Sequence, residues 1–434
     1  MQWKTGVRMG AMAAATALVA TGCLSEDGGG GGGDGGGSVE IIGAIGATNA
    51  EGLQAEVARI AEETGIDVTY ETLPDFDTVI QSRVQGNNAP DIALFPQPGV
   101  LCDLAAGGNV TALDDMVDLD AISEALIPGV GEVGICDDGS TYGIPVSINV
   151  KSVVWSPTPE FSDEYEFPAT HQDLVELSDQ IASDGTPPWC FAFEAQQATG
   201  WYVTDWIEEY VLRIGGPEYY DQWVRHEVPF NDDIVVQAAE AFEELVLTDG
   251  HAVLDRPAMA ATRWEDAMQP LVADPPGCFM ARQGNFIIGF WPPEVQQAAQ
   301  DFVEINLLPP YEGGFDGQPV LGGGDLAAAF NDSEEVQTIL EALYTSDFGA
   351  VWADSEGSEF LSPYPDFDGS AYQNEVTAEI ANLITEADAF RFDGSDLMPG
   401  QVGAGTFWTE MTAWVSGQSD LETALQNIED SWPE

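Results

Sequence analysis

Trp201 and Asp205 stand four residues apart in a stretch that reads as a loop, Thr199-Gly200-Trp201, opening a helix that also carries Trp206. Residues at that spacing share a helix face, so the pair sets an aromatic ring beside a hydrogen-bond acceptor. Lys151 stands out by rarity, because Lys4 is the only other lysine in the chain. A lysine retained against that background is expected to contact something, either a bound molecule or one of the 75 acidic side chains. Arg282, with Gln283, precedes a strand-like run over 285–290 and is a further candidate to line a cleft. Gln97 lies in Phe95-Pro96-Gln97-Pro98, at the carboxyl end of a predicted strand. Open α/β sheets present ligand contacts there, and an amide both donates and accepts. Gly322, Gly323, Gly324 and Asp325 read as a loop that lets backbone approach a ligand while Asp325 accepts from hydroxyl groups. The loop lacks the Gly-Lys-Ser/Thr ending that cradles phosphate.

This is binding chemistry. No G-x-S-x-G elbow and no H-E-x-x-H pair occurs, and His171, His226 and His251 are the only histidines. Neither C-x-x-C nor H-x-x-x-H spacing is present, so no metal and no cofactor is expected. Paired carboxylates could in principle hydrolyse a glycosidic bond, and a secreted glycoside hydrolase is the alternative to a binding protein. Among 75 acids, however, pairs at any spacing arise by chance. A lipid-anchored adhesion protein is the third class, and it predicts repeated β modules that the sequence does not show.

The chain carries 75 acidic against 11 basic residues, a formal net charge of -64, yet only 20% of its residues are charged. The acids are spread along the whole length. Such a surface repels itself at low ionic strength, whereas at about 1 M salt the Debye length is roughly 3 Å and the repulsion is screened. A salt-loving habitat follows, and nucleic-acid binding is excluded.

At the amino end, Lys4 and Arg8 precede an apolar run over 9–20 and then Thr21-Gly22-Cys23. That pattern is a signal peptide over 1–23 and not a membrane span. Its end resembles the lipobox of bacterial and some archaeal lipoproteins, with Cys23 as the lipid-bearing residue, although Ala20 stands where leucine is usual. Residues 24–38 are almost wholly glycine and form a flexible tether. With Cys23 set aside, Cys102, Cys136, Cys190 and Cys278 remain. An even number in an exported chain points to two disulfides with three possible pairings, each bond worth roughly 2–4 kcal/mol.

The elements that must position these residues open as an α/β unit. Strands are expected over 39–45, 66–71 and 91–95, alternating with helices over 51–64 and 76–86, which implies a largely parallel sheet. A long β-rich stretch follows over 144–155, then helices over 173–182, 204–214, 233–247 and 333–344, with 371–434 mostly helical. About 396 residues after the tether are too many for one ordinary core.

Several blocks in order resemble the bacterial extracellular solute-binding proteins for carbohydrates, in particular the branch serving α-glucoside uptake. They are NAPDIALFPQPG at 88–99, TYGIP at 141–145 with KSVVW at 151–155, ATGW at 198–201 with TDW at 204–206, and DPPGC at 274–278. Further on come PVLGGGD at 319–325, FRFDGSDLMP at 390–399 and GTFW at 405–408. The resemblance implies an α/β, periplasmic-binding-protein-like fold of two lobes joined by a hinge that the chain crosses several times. Lobe 1 would hold 39–143 and 321–365, lobe 2 would hold 145–319 and 371–434, and the crossings would lie near 143–145 and 318–320. Pairing Cys102 with Cys136 and Cys190 with Cys278 would then close each bond within one lobe. The resemblance adds Trp155 to the ligand-binding set and places Trp408 against a sugar face. It also marks Arg391 and Asp393, which an internal ion pair explains equally well. The implied function is capture of a carbohydrate by a monomer tethered to the outer face of the cytoplasmic membrane, which delivers it to the permease of an ABC importer.

Overall fold

The computed structural model describes residues 37–73 and 75–433, so the signal peptide, Cys23 and most of the tether lie outside the described residues. The first α/β unit forms as its periodicity demands. Strand β1 (Ser38–Gly43) buries Val39, Ile41 and Ile42, and helix α1 (Ala47–Thr64) turns Leu53, Val57 and Ile60 inward at helical spacing. Strand β2 (Asp67–Thr72), helix α2 (Phe76–Gln85), strand β3 (Ile92–Phe95) and helix α3 (Pro98–Ala106) follow. Both β2 and β3 pair parallel to β1.

The sheet does not remain parallel. Strand β8 (Pro319–Ala329) runs antiparallel to β3, and β4 (Ile144–Val150) runs antiparallel to β8, giving the order β2-β1-β3-β8-β4. Strand β9 (Ala389–Phe392) adds to the first residues of β8 in parallel. A smaller antiparallel sheet has the order β6-β5-β7, from Ala281–Arg282, Val153–Pro157 and Val303–Leu307. Only Lys151 and Ser152 separate β4 in the larger sheet from β5 in the smaller one.

Two expectations are corrected here. The stretch over 144–155 is two strands in two sheets, and residues 144–150 pair with β8, so the first passage between sheets falls at Lys151–Ser152 and not at 143–145. Gly322, Gly323, Gly324 and Asp325 are strand and not loop, inside β8, which is buried at all eleven positions. The reason is crowding: a side chain begun at Gly324 would lie 2.2 Å from the Ser147 carbonyl oxygen on β4. The carboxyl-terminal part is helical over Glu375–Glu386, Trp408–Val415 and Leu421–Glu429, but the four residues of β9 interrupt it.

The helix expected over 204–214 extends over Trp201–Val224, bent at Gly216, with every residue from Tyr202 to Arg213 buried. Cys102 is bonded to Cys136 and Cys190 to Cys278. Trp155, Trp189, Trp206 and Trp223 are among the largest side chains wholly removed from solvent.

Candidate functional site

A cleft of about 1060 Å³ opens between two banks of the molecule. One bank comes from α2 and α3, including Phe76, Asp77, Gln81 and Asp103; the other comes from 195–198, 263–265, Phe290 and 400–408, including Trp264 and Trp408. Trp408 begins the Trp408–Val415 helix directly after a π-helical turn over Val402–Phe407. It is only 4% exposed. Its Nε1 donates to Ser395 Oγ at 3.4 Å, and Ser395 Oγ lies 3.2 Å from Thr204 Oγ1, so the ring is tied to the helix that starts at Trp201.

Trp201 is half-buried and does not itself line the cleft. Its ring centroid is 5.5 Å from that of Trp264 and 6.0 Å from that of Phe286, and Trp264 meets Phe290 at 4.8 Å. These contacts make a continuous aromatic cluster from the interior to the cleft mouth. Gly200 holds the two tryptophan-bearing segments together. Its φ of 117° is in the left-handed region, and a side chain begun there would lie 2.3 Å from the Trp408 carbonyl oxygen. Gly200→Ala therefore has to move one tryptophan segment away from the other. We expect it to weaken ligand affinity about tenfold and to lower stability by about 1–3 kcal/mol, read by titration calorimetry and urea denaturation.

Beneath the aromatic cluster lies a charged one. Lys151 Nζ donates to Asp205 Oδ1 at 3.0 Å and to Asp393 Oδ2, and sits 5.4 Å from the Trp201 ring centroid. Asp393 Oδ1 also accepts from Ser395 Oγ and from the Asp396 backbone N–H, while Glu208 accepts the N–H groups of Gly394 and Ser395. Carboxylate oxygens of Asp205, Glu208 and Asp393 lie within 4.8 Å of one another. That spacing suits a cation, and the Lys151 ammonium is bonded to two of the three. Burial works to pull the Lys151 ammonium down, but Asp205, Asp393 and Asp396 hold it well above its ordinary value. Burial pushes Asp205 well up, against the pull of Lys151. For Asp393 burial acts the same way, yet Lys151 and its hydrogen bonds hold it below the usual carboxylate range.

The structure thus brings Lys151, Trp201, Asp205 and Trp408 into one contiguous group, of which Trp408 is on the cleft wall. Gly323 lies beneath the Lys151 stem, whose Cε is 3.4 Å from where a glycine side chain would begin. Gln97 is half-buried at the start of α3, and its Oε1 is buried without a hydrogen-bond partner. Asp325 is buried, accepts from Ser147 Oγ at 3.0 Å and is pushed up to about 6 by burial.

Two expected contacts are core side chains. Trp155 is fully buried, donates from Nε1 to the Gln283 carbonyl and packs on Trp291. Arg282 is fully buried, 5.0 Å from the Trp206 ring centroid, and donates to Glu209 Oε2 and the Asp205 carbonyl. Both sit on the smaller sheet, where the long Trp201–Val224 helix covers Arg282, whereas Trp155, next to the Val154 that pairs with Arg282, points to the other face. Arg391 pairs with Asp221 on that same helix, as the internal ion-pair reading expects. Asp77, Gln81 and Trp264 line the cleft and escaped the sequence reading. Asp77 was hidden among 75 acids, and its one distinguishing signal was the apolar Phe76 beside it at the start of α2.

Residues 46–356 match the family described as bacterial extracellular solute-binding protein. The chain is 37% identical over 396 residues to the osmoprotective compounds-binding protein GgtB of Synechocystis sp., covering 91% of this chain and 92% of that one. It is 35% identical over 382 residues to the alpha-glucosides-binding periplasmic protein AglE of Rhizobium meliloti, covering 86% and 82%. Among solved structures, a chitin oligosaccharide binding protein has a TM-score of 0.74 at 14% identity, over 91% of this chain and 98% of that one. The bacterial solute receptor AcbH has a TM-score of 0.71 at 19% identity, over 91% and 98%. These two share the fold, an α/β architecture of two lobes. On the family match and on its long alignments with GgtB and AglE, this chain belongs to the bacterial extracellular solute-binding proteins.

Proposed function

We propose that this protein is the substrate-binding component of an ABC importer for a neutral sugar, an α-glucoside or a related oligosaccharide. The observation that carries the reading is the two-banked cleft, which sets the Trp408 and Trp264 rings beside amides and carboxylates. A sugar offers apolar C–H faces to aromatic rings and hydroxyl edges to polar groups, and this wall supplies both. The name of AglE, which binds alpha-glucosides, supports the same ligand class.

In this reading the larger sheet carries lobe 1 and the smaller sheet, with its covering helices, carries lobe 2. The boundaries follow 39–143 with 321–365 and 145–319 with 371–434, except that β4 and β9 join the larger sheet of lobe 1. The hinge then includes Lys151–Ser152. Contacts to ligand from both banks stabilise the closed form more than the open one, which is the only way binding can shift that equilibrium. Trp201, Asp205 and Lys151 support the bank that carries Trp408, Gln97 stands at the start of α3 on the other bank, and Gly323, Gly324 and Asp325 form the strand at the floor of lobe 1. The protein acts as a monomer that does not transform its ligand. Lipid on Cys23 and the glycine tether hold it at the outer face of the cytoplasmic membrane, within reach of the permease.

Titration of the mature protein at about 1 M salt against maltose, trehalose, sucrose and longer maltodextrins tests the reading, with salt screening its acidic surface. Saturable binding with the sugar recovered unchanged is expected. Steady release of glucose would replace the binding protein with a glycoside hydrolase, and no binding across the panel would remove the sugar assignment.

A further inference from the structure

The cleft carries a carboxylate that the protein itself does not satisfy. Asp77 projects from the first turn of α2 into the cleft wall, beside Phe76. Its Oδ1 is buried and has no hydrogen-bond partner among the described residues. An ionised oxygen removed from water without a donor is costly, so proteins pair such groups unless something else completes them. The charged and titratable neighbours do not complete it. Asp75 precedes it on the same segment, Asp103 faces the cleft from α3, and Glu265 faces it from the opposite bank. Asp396 also feels its charge from the short Gly394–Leu397 turn. The one cation on the cleft wall, Arg263, is already paired with Glu265. On the opposite bank, Trp408 provides an apolar surface for a ring.

We propose that Asp77 is a specificity-determining residue of the cleft, its carboxylate turning to accept a hydroxyl of the bound sugar and thereby linking sugar capture to pH. The inference rests on the sugar-binding reading. A hydroxyl is a suitable partner because it donates without bringing charge, and it can satisfy a carboxylate that the fold leaves without a donor. Burial pushes the Asp77 carboxyl up to about 6, with no cation to oppose it. The sign follows from that direction. Above about pH 6 the carboxylate is ionised and accepts; below it the ligand-free protein holds a proton there, and the competent fraction falls. With a value near 6, affinity should drop about tenfold between pH 7 and pH 5.

The experiment compares the wild-type protein with Asp77→Asn by titration with maltose, trehalose and sucrose at pH 8, 7, 6 and 5. Measurements are made where circular dichroism shows folded protein. Asp77→Asn is expected to weaken the sugars that bind by about tenfold to a hundredfold at pH 8 and to flatten the fall in affinity toward pH 5. Its unfolding midpoint without sugar should match or exceed that of the wild type, because an uncompensated buried charge has been removed. A purely structural Asp77 would instead lower that midpoint. Asp77→Ser, which shortens the group, should weaken binding likewise. Unchanged affinity in both variants, or a pH profile in Asp77→Asn that follows the wild type, would overturn the inference and leave the sugar reading standing. Absence of binding to all three sugars by the wild-type protein would overturn both.

Discussion

Lys151→Met should cost this protein roughly 3–5 kcal/mol of stability, the usual consequence of removing one member of a buried charged group. The ammonium is 7% exposed and is bonded to Asp205 and Asp393, which are 1% exposed. Methionine fills much of the same volume, so packing survives while two carboxylates lose their counter-charge in a place water does not reach. Glu208 and Asp396 crowd the same pocket, and burial holds both of them well above the ordinary carboxylate range. The variant can relieve itself only by taking up protons. Its deficit should therefore shrink as pH is lowered from 8 to 5, because the unpaired carboxylates bind protons in the folded state that the unfolded chain binds only at lower pH. The wild-type contribution of Lys151 has the opposite dependence: with its folded value raised, it is fully present below the unfolded value of about 10.5 and is lost only as pH rises through the folded one. Urea denaturation of both proteins at about 1 M salt, at pH 8 and pH 5, reads the difference. A loss under 1 kcal/mol at pH 8 would show that the cluster does not depend on this ammonium.

Trp408→Ala should weaken sugar binding by about thirtyfold to a hundredfold, or 2–3 kcal/mol, as expected for the central aromatic anchor of a desolvated site. The ring is held from three directions. Ser395 Oγ accepts from its Nε1, Gly200 packs on its backbone, and the π-helical turn over Val402–Phe407 delivers it to the cleft wall. A platform held in this way loses little freedom on binding, so most of its contact energy reaches the affinity. Truncation removes that surface and leaves Trp264 at the mouth without its neighbour on the wall. Trp408→Phe keeps a flat apolar face and should retain most of the affinity, which separates stacking from the Nε1 hydrogen bond. Calorimetric titration of the three proteins with the tightest sugar of the panel decides the matter. Equal affinity in all three would take Trp408 out of the site.

Much of the local order was legible from residue patterns. Alternation of apolar strands with amphipathic helices over 39–95 places β1 to β3, α1 and α2 within a few residues of their observed bounds, because each needs only its own periodicity. The cysteine pairing followed from the lobe division that the family resemblance implies, and the structure joins the same partners. The long helix beginning near Trp201 was visible in part, although Gly216 and Pro217 concealed its second half.

The sequence by itself determined the chemical character of the protein: a strongly acidic chain of α/β class, well supplied with aromatic residues. Only the tertiary structure decided which groups face the cleft. Lys151, Asp205 and Asp393 lie as far as 242 residues apart, and their meeting depends on β4, the Trp201–Val224 helix and β9 being brought together by β8. The three glycines before Asp325 read as a loop in isolation, because nothing local reveals that three other strands will press against that one. Trp155 and Arg282 carry suitable ligand chemistry but are buried, Arg282 under a helix remote in sequence and Trp155 against Trp291. Asp77, one acid among 75, acquired its meaning from burial without a donor. A side chain's type sets what it can bind, and its register and covering layers set whether it is free to do so.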